Sequence, residues 1–285
     1  MEKRYRVLIF IVLSLLSAVI FFREAIAQVF SVVIHREGSS HGVFVPFLAL
    51  YFLYLNLDTL KKIDLKTDPR GVVLMIAGLF FPVFNVGDFH IQFIAYILVL
   101  AGLVMLMFGK DMFKNTAFPV FFLITTVPIP PNLYEALANY SRTIAFGGSL
   151  KIISFFGIPY VRDGWLIELH NALLEVAISC SGIRYMISYF VFGIAYAYIM
   201  KTGTWARVAT VAMTIPISHV ASIFRLTVIF MMTHYFGPFW AQHKPHIWLS
   251  WFVFFSILFG VMFLDQHFSK RSEANREVVN SKDII

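Results

Sequence analysis

A chain of 285 residues with 59% hydrophobic and only 14% charged types, and a mean hydropathy of +0.77, is not an ordinary globular domain. The formal net charge of +7 does not point to nucleic acid, because the basic residues lie in short loops between apolar runs and form no single patch. With one cysteine, Cys180, no intramolecular disulfide can form on either side of a membrane.

These limits predict an all-α polytopic membrane protein. The start, MEKRYR followed by LIFIVLSLLSAVIFF, has the basic and apolar parts of a signal peptide, and Ala25-Ile26-Ala27 mimics a cleavage site. The length of the apolar stretch and the spans after it favour an uncleaved first span. A spanning helix needs about 20 mainly apolar residues. That rule gives eight transmembrane helices, near 5–22, 43–60, 71–87, 91–109, 115–131, 181–200, 208–236 and 246–265. With the N-terminus inside, the cytoplasmic segments collect Lys3, Arg4, Arg6, Lys61, Lys62, Lys66, Arg70, Lys110, Lys114, Lys201, Arg207, Lys270, Arg271, Arg276 and Lys282. This bias puts both termini in the cytoplasm of a cell with the chain in its inner membrane.

Residues 132–180 then form a small extracytoplasmic helix plus β-hairpin insertion. Leu133 to Phe156 has apolar residues at helical spacing and few charges, as for a helix at the membrane surface. GIPYVRDGWLIEL and ALLEVAISC are two β-prone runs separated by HN, which read as a hairpin. Four regions result: an N-terminal five-helix part over 1–131, the insertion over 132–180, a three-helix part over 181–265, and a polar cytoplasmic tail over 266–285.

Candidate chemistry gathers around the insertion. Cys180 stands where the hairpin ends and the sixth span begins, and a helix start facing water favours a thiolate. The competing reading is a small buried hydrophobe, as most free cysteines are. Arg184 and Ser188 follow at steps of four, so Arg184 can hold the sulfur, take a substrate carboxylate or reach the headgroups. Glu175 is placed to pair with an arginine.

Arg225 lies well inside the seventh span, where an arginine costs about 3 kcal/mol on insertion scales. Thr214, Ser218, Ser222 and Arg225 share a stripe, which turns the cation towards a polar interior. Capping of carbonyls freed by Pro216, or pairing with a distant carboxylate, is the structural alternative. His246 opens the eighth span at the same outer face as Cys180, and an imidazole there can take and return a proton. His243, three residues earlier, allows a metal-ligand reading with His246 and His170, although Pro245 spoils the helical spacing.

The run GIPYVRDGWLIELHNALLEVAISCSGIRYM resembles the exosortase/archaeosortase membrane transpeptidases, and the likeness extends from about Thr125 to Phe263. In that family the proposed catalytic set is a cysteine in C-S-G, an arginine in the next span and a histidine at the start of the last. The resemblance carries these to Cys180, Arg225 and His246. Two features depart from the pattern. Ser222 stands where asparagine is common, and the H-x-x-S-G-W-like segment reads HIWLSW, which bears on the choice of His246 over His243.

What the resemblance implies is a membrane-embedded cysteine protease/transpeptidase without cofactor or metal. Its partners would be membrane lipids and a membrane-tethered protein with a C-terminal sorting signal, and no nucleic acid. Three other classes compete: a transporter or channel using Arg225 to bind an anionic substrate, a metal-dependent hydrolase using the histidines, and a non-catalytic assembly partner.

Overall fold

The computed structural model describes residues 19–35, 39–84, 88–170, 172–200, 203–241, 247–257, 259–260 and 263. The chain divides into two units, Met1–Leu133 and Tyr134–Ile285.

The first unit is helical in its described residues. Helix α1 (Arg23–His35) buries Val29 and Val33 in a cluster with Phe93, Ile97 and Ala101 of the long helix α4 (Phe89–Phe122). Helix α2 (Phe44–Leu55) sends Phe52 edge-on to Phe118 and Phe122 of α4, with ring centres 5.3 and 5.2 Å apart. Helix α3 (Gly71–Phe84) runs antiparallel along α4 (Phe89–Phe122) at very short range. A Cβ on Gly102 would meet the Gly71 carbonyl and the Met75 backbone, and one on Gly78 would meet the Ala95 carbonyl. Small residues let the two backbones touch, which is how helices gain packing where the surrounding lipid is as apolar as they are. Asp88 caps α4 by accepting from the His90 N–H at 2.8 Å.

Helix α4 is interrupted at Gly109, whose φ of +88° lies in the left-handed region that glycine enters without steric cost. The break falls on the last residue of the span expected at 91–109, ahead of the one expected at 115–131. Residues 89–108, before it, measure about 30 Å at 1.5 Å per residue, one bilayer core.

In the second unit, α5 (Pro131–Phe155) starts on a proline and corresponds to the helix expected over Leu133 to Phe156. It buries Ala138, Ala145, Phe146, Leu150 and Ile153. The expected two-run hairpin is instead a three-stranded antiparallel meander of β1 (Val161–Asp163), β2 (Leu166–Leu169) and β3 (Ala172–Glu175). The first run folds back on itself at Gly164-Trp165, because Gly164 supplies the positive φ (+56°) that a two-residue hairpin turn demands. Ile167 and Leu169 pack with Phe146 and Ile153 of α5 and with Leu226 and Phe230.

Helices α6 (Ile183–Met200), α7 (Thr204–Phe236) and α8 (Ile247–Ile257) complete the unit. The Tyr189 hydroxyl of α6 donates to the Phe254 carbonyl of α8 at 3.0 Å, with the two rings stacked at 4.8 Å. Gly193 of α6 and Gly148 of α5 admit Thr214 and Ile223 of α7 at close range.

Eight spans are not established. Among the described residues three helical stretches are long and apolar enough to cross a membrane: Phe89–Thr126, Ile183–Met200 and Thr204–Phe236. His41–Leu55, Gly71–Phe80 and Ile247–Ile257 are apolar but shorter. The expected first span lies mostly outside the described residues, and α1 is a helix that hydropathy alone did not assign.

Gly102→Leu should push α3 off α4 and cost about 1–3 kcal/mol, read as a lowered melting temperature of the purified protein. Gly147→Ala, where an added methyl meets open space, should leave that temperature unchanged or raise it. Equal behaviour of the two variants would contradict the close α3–α4 approach.

Candidate functional site

The cysteine sits in a single 3₁₀ turn, Ile178–Ser181, between β3 and α6. Its own N–H donates to the Ala177 carbonyl at 2.9 Å, and its side chain is half-buried against the cluster under the sheet. The sequence places it where the hairpin ends and the sixth span begins, and the structure separates its turn from that helix by one residue in the left-handed region. Gly182 follows with φ +79°, so the turn ends before α6 opens at Ile183, and Ser181 accepts the Ile183 N–H through Oγ at 3.3 Å.

That left-handed glycine is also a contact point. A Cβ at Gly182 would overlap the Ser222 hydroxyl of α7. Ser222 is buried and donates to the Ser218 carbonyl of its own helix at 2.9 Å. It therefore acts as a small surface against which the cysteine's turn rests, and it bonds neither Cys180 nor Arg225.

Arg225 is only 1% exposed. Its Nη2 donates to the Cys180 carbonyl oxygen at 2.7 Å, and its Nη1 donates to Ser250 Oγ of α8 at 3.2 Å. Its guanidinium carbon lies 5.3 Å from the centre of the Tyr185 ring, and its Nε is buried with no acceptor among the described residues. Ser218, Ser222 and Arg225 are all buried, as the stripe on α7 requires. Among the described residues neither a carbonyl freed by Pro216 nor a carboxylate holds the cation. The arginine joins α7, α8 and the cysteine turn at one point.

Arg184 does not share a helical face with Cys180, since the cysteine precedes α6. Its Nη2 donates to the Ser179 carbonyl at 3.3 Å, and Ser188 Oγ donates to the Arg184 carbonyl at 2.9 Å. Glu175 is exposed at the end of β3 and forms no ion pair with an arginine among the described residues. His243 and His246 lie outside the described residues, and His246 directly precedes α8 in the chain. Ser250 is four positions after it. His170 is exposed after β2, and the described residues hold no group of three metal-ligating side chains.

Two contributors escaped sequence reasoning. Ser250 lies within the quoted HIWLSW segment but gave no sign of its partner. Arg142 carries no motif or spacing that singles it out, yet its Nη1 donates to the Val176 carbonyl at 3.3 Å while its guanidinium lies 3.8 Å from the Trp165 ring centre. Arg142, Arg184 and Arg225 thus come from three helices to three carbonyls, of Val176, Ser179 and Cys180.

The family model for transmembrane exosortases matches residues 33–263, well over half of the chain. The chain belongs to the transmembrane exosortase family. This match reaches further towards the N-terminus than the motif likeness from Thr125, so the exosortase-like part takes in α2 to α4 as well. The family is of membrane transpeptidase or protease type and acts on proteins bearing sorting signals. No match was found among curated proteins or solved structures.

In this exosortase-family protein Gly182→Ala should be strongly destabilising, because the left-handed φ adds about 1–2 kcal/mol to the overlap with Ser222. Adding Ser222→Gly removes the overlap but not the backbone strain. The double variant should melt above Gly182→Ala alone and below wild type, with a coupling above about 0.5 kcal/mol; strict additivity would deny the contact.

Proposed function

We propose that the protein is a membrane-embedded cysteine protease/transpeptidase that cleaves the C-terminal sorting signal of membrane-tethered exported proteins at the extracytoplasmic face. The observation that carries this reading is the 2.7 Å bond from buried Arg225 to the backbone of the chain's one cysteine. A cation sunk in a helix interior needs a reason to be there. Here it holds a nucleophile-bearing turn, and a transporter reading in which Cys180 is incidental leaves that bond unexplained.

In the proposed reaction the Cys180 thiol gives its proton to His246, and the sulfur attacks the substrate carbonyl carbon. As the C–S bond forms, negative charge gathers on the carbonyl oxygen. Arg225 is always cationic, so it serves as an electrostatic group and not as a base. Two of its nitrogens are engaged by Cys180 and Ser250, and the Nε–H is left to donate. Collapse breaks the C–N bond, and His246 returns the proton to the leaving amine. An incoming amine or a water then releases the thioester. His246 is preferred to His243 because it adjoins α8, whose Ser250 reaches Arg225.

Helix length supports access from the outer face. The 33 residues of α7 extend about 50 Å, against a hydrocarbon core of about 30 Å, so part of the helix stands outside the core. Arg225 precedes the end at Phe236 by eleven residues, about 17 Å, and the surplus brings it towards the interface.

In cells making Cys180→Ala, a membrane-tethered precursor should accumulate that wild-type cells shorten. Arg225→Lys, which keeps the charge but loses the fork, should slow maturation about 10²-fold or more at unchanged protein level. A membrane-impermeant maleimide should label Cys180 from the outer face of spheroplasts. Unaltered maturation in Cys180→Ala, or labelling from the cytoplasmic side alone, would sink the proposal.

A further inference from the structure

The order β1-β2-β3 leaves β1 and β3 as sheet edges. Bonded and non-bonded residue pairs alternate along an antiparallel ladder. The Val176 N–H donates to the Trp165 carbonyl at 2.9 Å, which makes Leu174 with Ile167, and Ala172 with Leu169, the bonded pairs. Leu173 and Glu175 therefore turn their N–H and C=O groups away from β2. Among the described residues no hydrogen bond reaches any of these four groups.

Both side chains point to the outer face, with Leu173 67% exposed. Proteins usually blunt a free edge with lysine, proline or a covering element. Strand β3 carries neither residue type. The opposite edge differs, since β1 turns only Arg162 outward, and that side chain folds back onto the Gly164 carbonyl and the Phe146 ring. Strand β3 also leads into the nucleophile's turn: Glu175 is five residues before Cys180, and the carbonyl between them at Val176 is held by Arg142.

We propose that the outer edge of β3 is the substrate's docking strand: the extended segment beside the scissile bond adds a fourth strand against Leu173 and Glu175 and is led to Cys180. This rests on the peptidase reading of Cys180. The occupant follows from two things: the edge is continuous with the cysteine turn, and the family's substrates are proteins, which offer a backbone of the same hydrogen-bonding pattern. Main-chain pairing supplies affinity without reading side chains, and its register advances in steps of two residues.

The test uses the full chain in its membrane and the precursor that accumulates with Cys180→Ala. Leu173→Pro removes an outward N–H while sparing the β2–β3 ladder. Maturation should fall at least tenfold at unchanged membrane level, and a wild-type rate would overturn the proposal. Independently, Leu173→Cys in the Cys180→Ala background should form disulfides with single cysteines placed at every second residue beside the precursor's cleavage point. Absent or uniform crosslinking would also overturn it. Should Leu173→Pro fail to reach the membrane, the crosslink pattern decides. If Cys180→Ala does not stop maturation, the peptidase reading falls and takes this proposal with it. If it does stop maturation and the alternating pattern is missing, edge docking alone falls.

Discussion

The bond between the Arg225 guanidinium and the Cys180 carbonyl is the constraint around which the second unit is organised. An arginine inside an apolar helix is tolerated only if its charge and its donors find partners, because water is not there to supply them. Here the partners lie on three separate elements: the turn before α6, the hydroxyl of Ser250 on α8, and the ring of Tyr185 on α6. Satisfying one cation therefore draws those elements onto α7. The local choices agree with that demand. Gly182 and Ser222 are small where the turn meets α7, and Gly193 is small where α6 does.

The same logic extends to the segment from Val176 to Cys180. Strands and helices satisfy their backbone internally, but a connecting turn must look elsewhere for donors to its carbonyls. Arg142, Arg184 and Arg225 supply them from α5, α6 and α7. A planar fork with several donors can hold a carbonyl and still stack on an aromatic ring, as Arg142 does on Trp165. The cysteine is thus mounted on a short turn held by three helices through its backbone.

Much of the fold was legible because hydropathy and turn chemistry act locally. The helix over α5 follows from its spacing of apolar residues, and the β-prone character of 160–176 follows from its composition. The third strand was missed because a two-residue turn at Gly164-Trp165 leaves almost no polar interval in the sequence. The break at Gly109 falls at the end of an expected span, where only the positive φ distinguishes a kink from a loop. For the site, Arg225 and Cys180 stood out, the one by its cost in a span and the other by being single. Ser250 and Arg142 did not, since a serine among aromatics and an arginine near an interface are ordinary.

By itself the sequence determined that this is a membrane protein, where its basic loops lie, and which few polar side chains have no cheap place in an apolar helix. Those are properties of single residues and their immediate neighbours. Which of the polar side chains meet was decided by tertiary structure. The partners of Arg225 are 45 and 25 residues away along the chain, and only packing of α6 and α8 against α7 brings them within hydrogen-bond range.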